Sequence, residues 1–330
     1  SEDFGAISST DSGIVTVSNT SFINNAGGIG GALHLTGNMT GILSNCSFVN
    51  NTATDGGAIF LYMDGNLALD NVGFTGNSAE RGGAVYLGSD APPSIENSVV
   101  SSPNNRLEMR GSRCLRNQAS SGGCIAAFND TDLLIEHSEI EENEADRGGA
   151  IFCFRTSTIQ VRATTLIGNS ALQGGALYAS SPPIGEEASL WSIGRANITI
   201  SECEISSNRA ETGGGIFAED VISLWISDCR LTSNVASLNS GAFQLETSRG
   251  YAATSRANDS SERNASPGFR PNTLRVQLLQ SMGATPDPDS LEMSPVMTAH
   301  LTNVNCSDNE SFGSGGCMGA MFGCLVYAEN

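Results

Sequence analysis

Few side chains in this chain are equipped for chemistry. The three His lie far apart, at His34, His137 and His300, so no two are spaced to share a proton or a metal ion, and each reads as a surface or corner residue. Lys is absent and every basic residue is Arg, which removes Schiff-base chemistry and Lys–Asn isopeptide cross-linking. The densest acidic run, Glu139, Glu141, Glu142, Glu144 and Asp146, could supply carboxylates for acid–base work or for Ca²⁺. No fixed ligand spacing recurs on either side of it, and it reads as a solvated acidic edge. With no nucleophile–base pair, phosphate loop or metal cluster in view, the expectation is no catalytic residue, no metal and no cofactor.

Nine Cys carry the remaining reactive chemistry, and that number at this length suits an oxidising compartment. What they do depends on the elements that position them, and those elements repeat. Gly-Gly-Ala followed by an aliphatic residue is the first anchor. Its third position falls at Ala32, Ala58, Ala84, Cys124, Ala150, Ala176, Gly215, Ala242 and Cys317, with a degenerate copy at Ala6. Most steps are 26 residues. A second anchor lies upstream, an apolar residue followed three positions later by Asn. Its copies are Phe22/Asn25, Phe48/Asn51, Phe74/Asn77, Cys114/Asn117, Ile140/Asn143, Leu166/Asn169, Ile205/Asn208, Leu231/Asn234 and Cys306/Asn309.

Between anchors the period is two. Val17, Leu43, Leu69, Met109, Ile135, Val161, Ile200, Ile226 and Leu301 are apolar between mostly polar neighbours, the pattern of a strand with one buried face. The first and third residues after each Gly-Gly-Ala are apolar as well, for example Ile59 and Leu61, which adds a second strand. Two or three short strands per repeat, no helical period and 38 Gly describe an all-β, single-stranded parallel β-helix of about nine coils. Coils stack at the inter-strand spacing of ~4.8 Å, so the rod is on the order of 45 Å long. Each Asn then lies above the next and is expected to satisfy turn backbone in an amide ladder.

Against this frame the Cys positions become informative. Cys114 and Cys306 replace the apolar anchor in the same two coils where Cys124 and Cys317 replace the anchor Ala. Disulfides 114–124 and 306–317 are therefore expected, each within one coil, provided the anchor Ala column sits at a corner. Cys203 and Cys229 share a column on successive coils and are expected to pair. Cys46, Cys153 and Cys324 remain, an odd set in which one thiol is free or bonded elsewhere. A column of aromatics, Phe60, Tyr86, Phe152, Tyr178 and Phe217, is the candidate binding surface: facing outward it would stack sugar rings or a partner, and covered it would form a satellite core.

Gly-Gly-Ala-[Ile/Leu/Val] alternating with Phe-x-x-Asn resembles the repeat of the chlamydial polymorphic outer membrane proteins, related to repeats of algal and protist surface proteins. The resemblance implies a right-handed β-helix passenger that acts in adhesion or as a surface scaffold. No C-terminal segment reads as a transmembrane barrel, so outer-membrane anchoring is not expected of this chain.

Insertions interrupt the repeat three times, at about 88–105, 181–195 and 246–297. All fall in one turn of the coil and should project from one edge, where contacts concentrate. Both ends stop mid-coil, and there is neither an initiator Met nor a signal peptide. The expectation is a segment of a longer protein, with other subunits or continuing solenoid at the open ends. A net charge of −19 disfavours nucleic acid and anionic lipid, and no run is long and apolar enough for a membrane helix. Sequons at Asn19, Asn38, Asn45, Asn50, Asn129, Asn197, Asn258, Asn264, Asn305 and Asn309 agree with a secreted glycoprotein. The expected role is a non-catalytic extracellular or cell-surface module, structural or adhesive, binding protein and possibly glycan partners. The alternative on the same fold is a polysaccharide-active enzyme, which would need two or three Asp or Glu converging on one strand face.

Overall fold

A computed structural model describes residues 5–88, 105–156, 158–181, 196–246, 297–313, 315–320 and 324–329. Its strands pair only in parallel, and they form ladders that climb the repeat. The first ladder holds the strands after each Gly-Gly-Ala, including Ile59–Tyr62, Val85–Gly88, Ile125–Phe128, Ile151–Phe154, Leu177–Ser180, Ile216–Glu219 and Phe243–Glu246. The second includes Asn66–Asp70, Asn105–Arg110, Thr131–Glu136, Thr158–Arg162, Asn197–Ser201, Ser223–Ser227 and Met297–Thr302. At the amino-terminal end the continuous strands Ile7–Ser18 and Leu33–Ser44 run through both, which joins them into one 18-stranded sheet. The third ladder is a separate sheet of nine three-residue strands, from Ser21–Ile23 to Asn305–Ser307. This is the parallel β-helix that the repeat implies.

Register follows the sequence columns. Leu43 pairs with Leu69, Leu69 with Met109, and Met109 with Ile135. Phe22, Phe48 and Phe74 align likewise, and their rings stack at centroid distances of 4.8 and 5.1 Å. Alternation carries these columns into the interior, where they form one continuous core. Because the same register repeats in each coil, burial of an apolar column and closure of the backbone ladder reinforce one another.

The two glycines of each anchor meet different demands. The first takes a left-handed conformation, as at Gly56 (φ 61°) and Gly148 (φ 61°), which only glycine adopts without cost. The second lies against the backbone of the next coil: a Cβ on Gly57 would overlap the carbonyl oxygen of Gly83. A fourth side of the coil, not foreseen from periodicity, runs between the Asn column and these glycines. It consists of single bridges such as Asp55↔Arg81 and Arg147↔Gln173, and widens into the three-stranded sheet Arg209–Thr212, Val235–Asn239 and Glu310–Ser311.

The corner between the first and second ladders is short in uninterrupted coils, as from Tyr62 to Asn66 or Phe128 to Thr131. The three insertions lie outside the described residues, but their flanks are described. Gly88 and Asn105, Ser181 and Ala196, and Glu246 and Met297 bracket this same corner, with the strands on both sides in register with uninterrupted coils.

Candidate functional site

The Asn column is spent on structure. Each Asn Oδ1 accepts both the backbone N–H and the side-chain amide of the preceding Asn, as Asn117 does from Asn77 at 2.9 Å in each case. Each amide nitrogen also donates to a carbonyl of the preceding coil, as Asn77 does to Phe48 at 3.0 Å. The chain of bonds runs from Asn25 to Asn309. It satisfies a backbone N–H that the bend at this corner would leave unpaired.

Disulfides join Cys114 to Cys124 and Cys306 to Cys317, with Cα atoms 6.0 Å apart in both. The geometric condition is met because the strand begins at Ile125 and leaves Cys124 in the bend before it. The expected Cys203–Cys229 bond is not present. The two share a column, but each is a buried free thiol. They lie one above the other in the corner before the third ladder, where their thiols interact with each other without a covalent bond. Instead Cys203 Sγ donates to Ser201 O at 3.1 Å and Cys229 Sγ to Ser227 O at 3.1 Å. The Cys229 sulfur also receives the Cys203 backbone N–H at 3.4 Å. It takes the role that Ser112 and Ser138 hydroxyls play in the same column. Cys46 and Cys153 are buried thiols too, and burial raises the Cys153 pKa.

The aromatic column faces away from the main core, yet it is not an open platform. Phe60, Tyr86, Phe152, Tyr178 and Phe217 are all buried and, with Ala126, form a satellite cluster edged by Ile29, Tyr62, Phe128 and Phe154. The rings stack in register, Phe60 on Tyr86 at 4.9 Å and Tyr178 on Phe217 at 5.3 Å. Arg81 lies over Tyr86, and Arg147 over Tyr178. Arg81 is held there by Asp55, whose carboxylate accepts its Nη2 at 2.7 Å. These rings are therefore not the binding surface. His34 heads the same column, buried and stacked on Phe60, so it is not the surface residue expected. His137 does occupy a corner, with φ 49°.

Most of the acidic run is matched by arginines of the preceding coil. Arg113 pairs with Glu139 and Glu141, and Arg116 with Glu142. The pairs are exposed and add little stability, but they occupy the carboxylates. Among the described residues no group of three or more His, Cys, Asp or Glu is placed to hold a metal ion.

Two features escaped the sequence. The first is a carboxylate pair at the insertion corner. Glu219 and Glu246 are in register on adjacent strands, and Glu219 accepts from Ser180 Oγ at 2.9 Å and Tyr178 Oη at 3.3 Å. Burial, then the charges of Glu219 and Asp220, raise the Glu246 pKa. Burial and the Glu219 charge likewise push the Tyr178 phenol up to about 12. The second is an exposed ring stack, Trp225 on His300, with centroids 3.7 Å apart and planes 6° from parallel. A groove of about 540 Å³ opens at the far end of those strands, lined in part by Glu202, Asp228, Arg230 and Asn303.

Of the sequons, Asn19, Asn38, Asn45, Asn50, Asn197 and Asn305 are exposed and Asn129 is half-buried, whereas Asn258 and Asn264 lie outside the described residues. Asn309 belongs to the amide ladder and donates to Leu231 O at 2.8 Å, so a glycan on that nitrogen would disrupt the stack.

Residues 45–62 match the family model of the Chlamydia polymorphic membrane protein repeat. They span one apolar–Asn anchor and one Gly-Gly-Ala anchor with the strand that follows. No curated protein and no solved structure matches the chain.

Proposed function

We propose that this chain is a non-catalytic structural and adhesive β-helix module of a cell-surface or extracellular assembly, and that it engages protein or glycan partners through its insertion corner. The observation that carries this reading is the shared corner that the described flanks of the three insertions bracket. Coils are interchangeable along the amide ladder and the core columns, and the departures of the chain gather at one corner. A scaffold with constant coils and variable loops at one edge is built to present contacts. The Chlamydia polymorphic membrane protein repeat at residues 45–62 supports a surface location, as do the disulfides and the exposed sequons.

The test trims each insertion to a corner of the length found between Phe128 and Thr131, then measures binding to a panel of immobilised extracellular glycoproteins and polysaccharides by surface plasmon resonance. Binding by the full chain, lost on trimming while the melting transition is kept, is the expected result. Unchanged binding by the trimmed chain would overturn the role of the corner.

A second reading, a polysaccharide-active enzyme, has one observation in its favour: the in-register Glu219 and Glu246 with the Tyr178 and Ser180 hydroxyls. Two in-register carboxylates, one of them (Glu246) with its pKa raised by burial, resemble the arrangement of an acid–base pair. This reading requires release of reducing ends or unsaturated products from a polysaccharide, abolished by Glu219→Gln.

A further inference from the structure

We infer that the Trp225–His300 stack is a platform for the ring face of a neutral pyranose in an oligosaccharide. The stack lies on the outward face of the second ladder, on strands Ser223–Ser227 and Met297–Thr302. Trp225 is 48% exposed, which leaves part of a large aromatic surface accessible to a ligand. His300 covers one face of the indole and fixes its plane. The other face looks along the ladder toward the small, exposed, in-register Thr199, and the next in-register position beyond His300 is Tyr327.

The surroundings select the ligand. Earlier coils of this face carry charge, with Arg106, Glu108 and Arg110 on one strand and Arg162 on another. Around Trp225 charge gives way to the hydroxyl and amide side chains of Asn197, Thr199, Ser223 and Ser227. Ser223 donates to Asn197 at 2.9 Å, and Thr199 and Asn197 are exposed. An apolar protein surface would need a continuous greasy rim, and an anionic ligand would need a basic one. A pyranose instead offers a face of C–H bonds to the negative face of an aromatic ring, with hydroxyls at its equator for the polar rim. The strands run into a corner where Asn303 Nδ2 donates to Asp228 Oδ1 at 2.7 Å, at the mouth of the groove lined by Glu202, Asp228 and Asn303. Those groups can bind further hydroxyls, and the lining carboxylates of Glu202, Glu204 and Asp228 outnumber the guanidinium of Arg230, which disfavours uronic acids.

This inference deepens the surface-module reading by naming a ligand class, and its experiment is read separately from loop trimming. The full chain is titrated calorimetrically with the neutral hexasaccharides cellohexaose, maltohexaose and chitohexaose, and with hexagalacturonate as the acidic counterpart. Saturable binding of at least one neutral hexamer, weaker or no binding of hexagalacturonate, and a roughly tenfold loss in Trp225→Ala are expected. Trp225→Phe should recover part of the affinity, and Ile42→Ala, on the same face several coils away, should change nothing. Circular dichroism checks that each variant keeps its fold. Failure of all three neutral hexamers to bind, or equal binding by Trp225→Ala, overturns the platform. So does concentration-dependent dimerisation that Trp225→Ala abolishes, since the rings would then serve a contact between copies.

Discussion

Asn77 Oδ1 accepts two hydrogen bonds from Asn51, one from its backbone N–H at 2.9 Å and one from its side-chain amide at 2.9 Å. Repeated at every coil, this contact lets a polar residue sit fully buried in the stack. It also makes each Asn depend on its neighbour.

Asn77→Ala leaves the Asn51 N–H, the Asn51 amide and the Phe48 carbonyl short of a partner. Each buried orphan costs about 1–3 kcal/mol, so a loss of about 3 kcal/mol or more is expected. Asn77→Asp keeps the shape but deletes the donor to Phe48 O and buries a charge, and should be no better at neutral pH. Urea unfolding followed by circular dichroism provides the comparison.

The core columns, the Asn ladder and the intra-coil disulfides were legible in the sequence because a solenoid turns spacing along the chain into position along one axis. Leu43, Leu69 and Met109 needed only a common period to be placed together. Side-by-side packing outside the coil was not legible in this way. Phe60 and Tyr86 alternate as outward residues should, but Arg81, held by Asp55, lies over Tyr86 in a lateral row whose single bridges come once per coil and so show no alternation within a coil. Trp225 and His300 are in register across the longest insertion, which hides their pairing. Cys203 and Cys229 were correctly aligned, but sharing a column did not decide between a disulfide and two thiols bonded to nearby carbonyls.

Gly57→Ala should be among the most damaging small substitutions. Its Cβ meets backbone that cannot yield, the Gly83 carbonyl oxygen, and a penalty of about 2–3 kcal/mol is expected. Gly73→Ala is the control, because nothing lies within 4 Å of its added methyl. It should be neutral or slightly stabilising through the unfolded state. Thermal melts of the two variants separate close stacking from a general intolerance of alanine.

Peptide mapping without reduction should return 114–124 and 306–317 as linked pairs, with Cys203 and Cys229 alkylated singly once the chain is denatured. A linked 203–229 peptide would contradict the thiol assignment. Removing the first bond as Cys114→Ala with Cys124→Ala should cost about 2.5–3 kcal/mol for a loop of 10 residues.

Glu246 gives stability a pH dependence opposite to that of most carboxylates. Its folded pKa lies above the unfolded value, so the folded chain holds the proton more tightly, and this site gains stability as pH falls through the folded pKa. Glu246→Gln should therefore melt higher than the native sequence at pH 7. The difference should vanish below about pH 4, where the carboxyl is protonated in both states. Melting curves across that range decide it, and a Glu246→Gln variant less stable at pH 7 would contradict the carboxylate crowding.

The central claim, that an invariant stack presents partners at one corner, is tested most directly by hydrogen–deuterium exchange of the chain alone and bound to whichever panel ligand captures it. Protection of peptides that flank the corner, around 85–107, 177–200 and 243–302, joined by 223–228 where the captured ligand is a neutral glycan, is the expected result. Protection centred instead on the third ladder, from Ser47–Val49 to Arg230–Thr232, would contradict it.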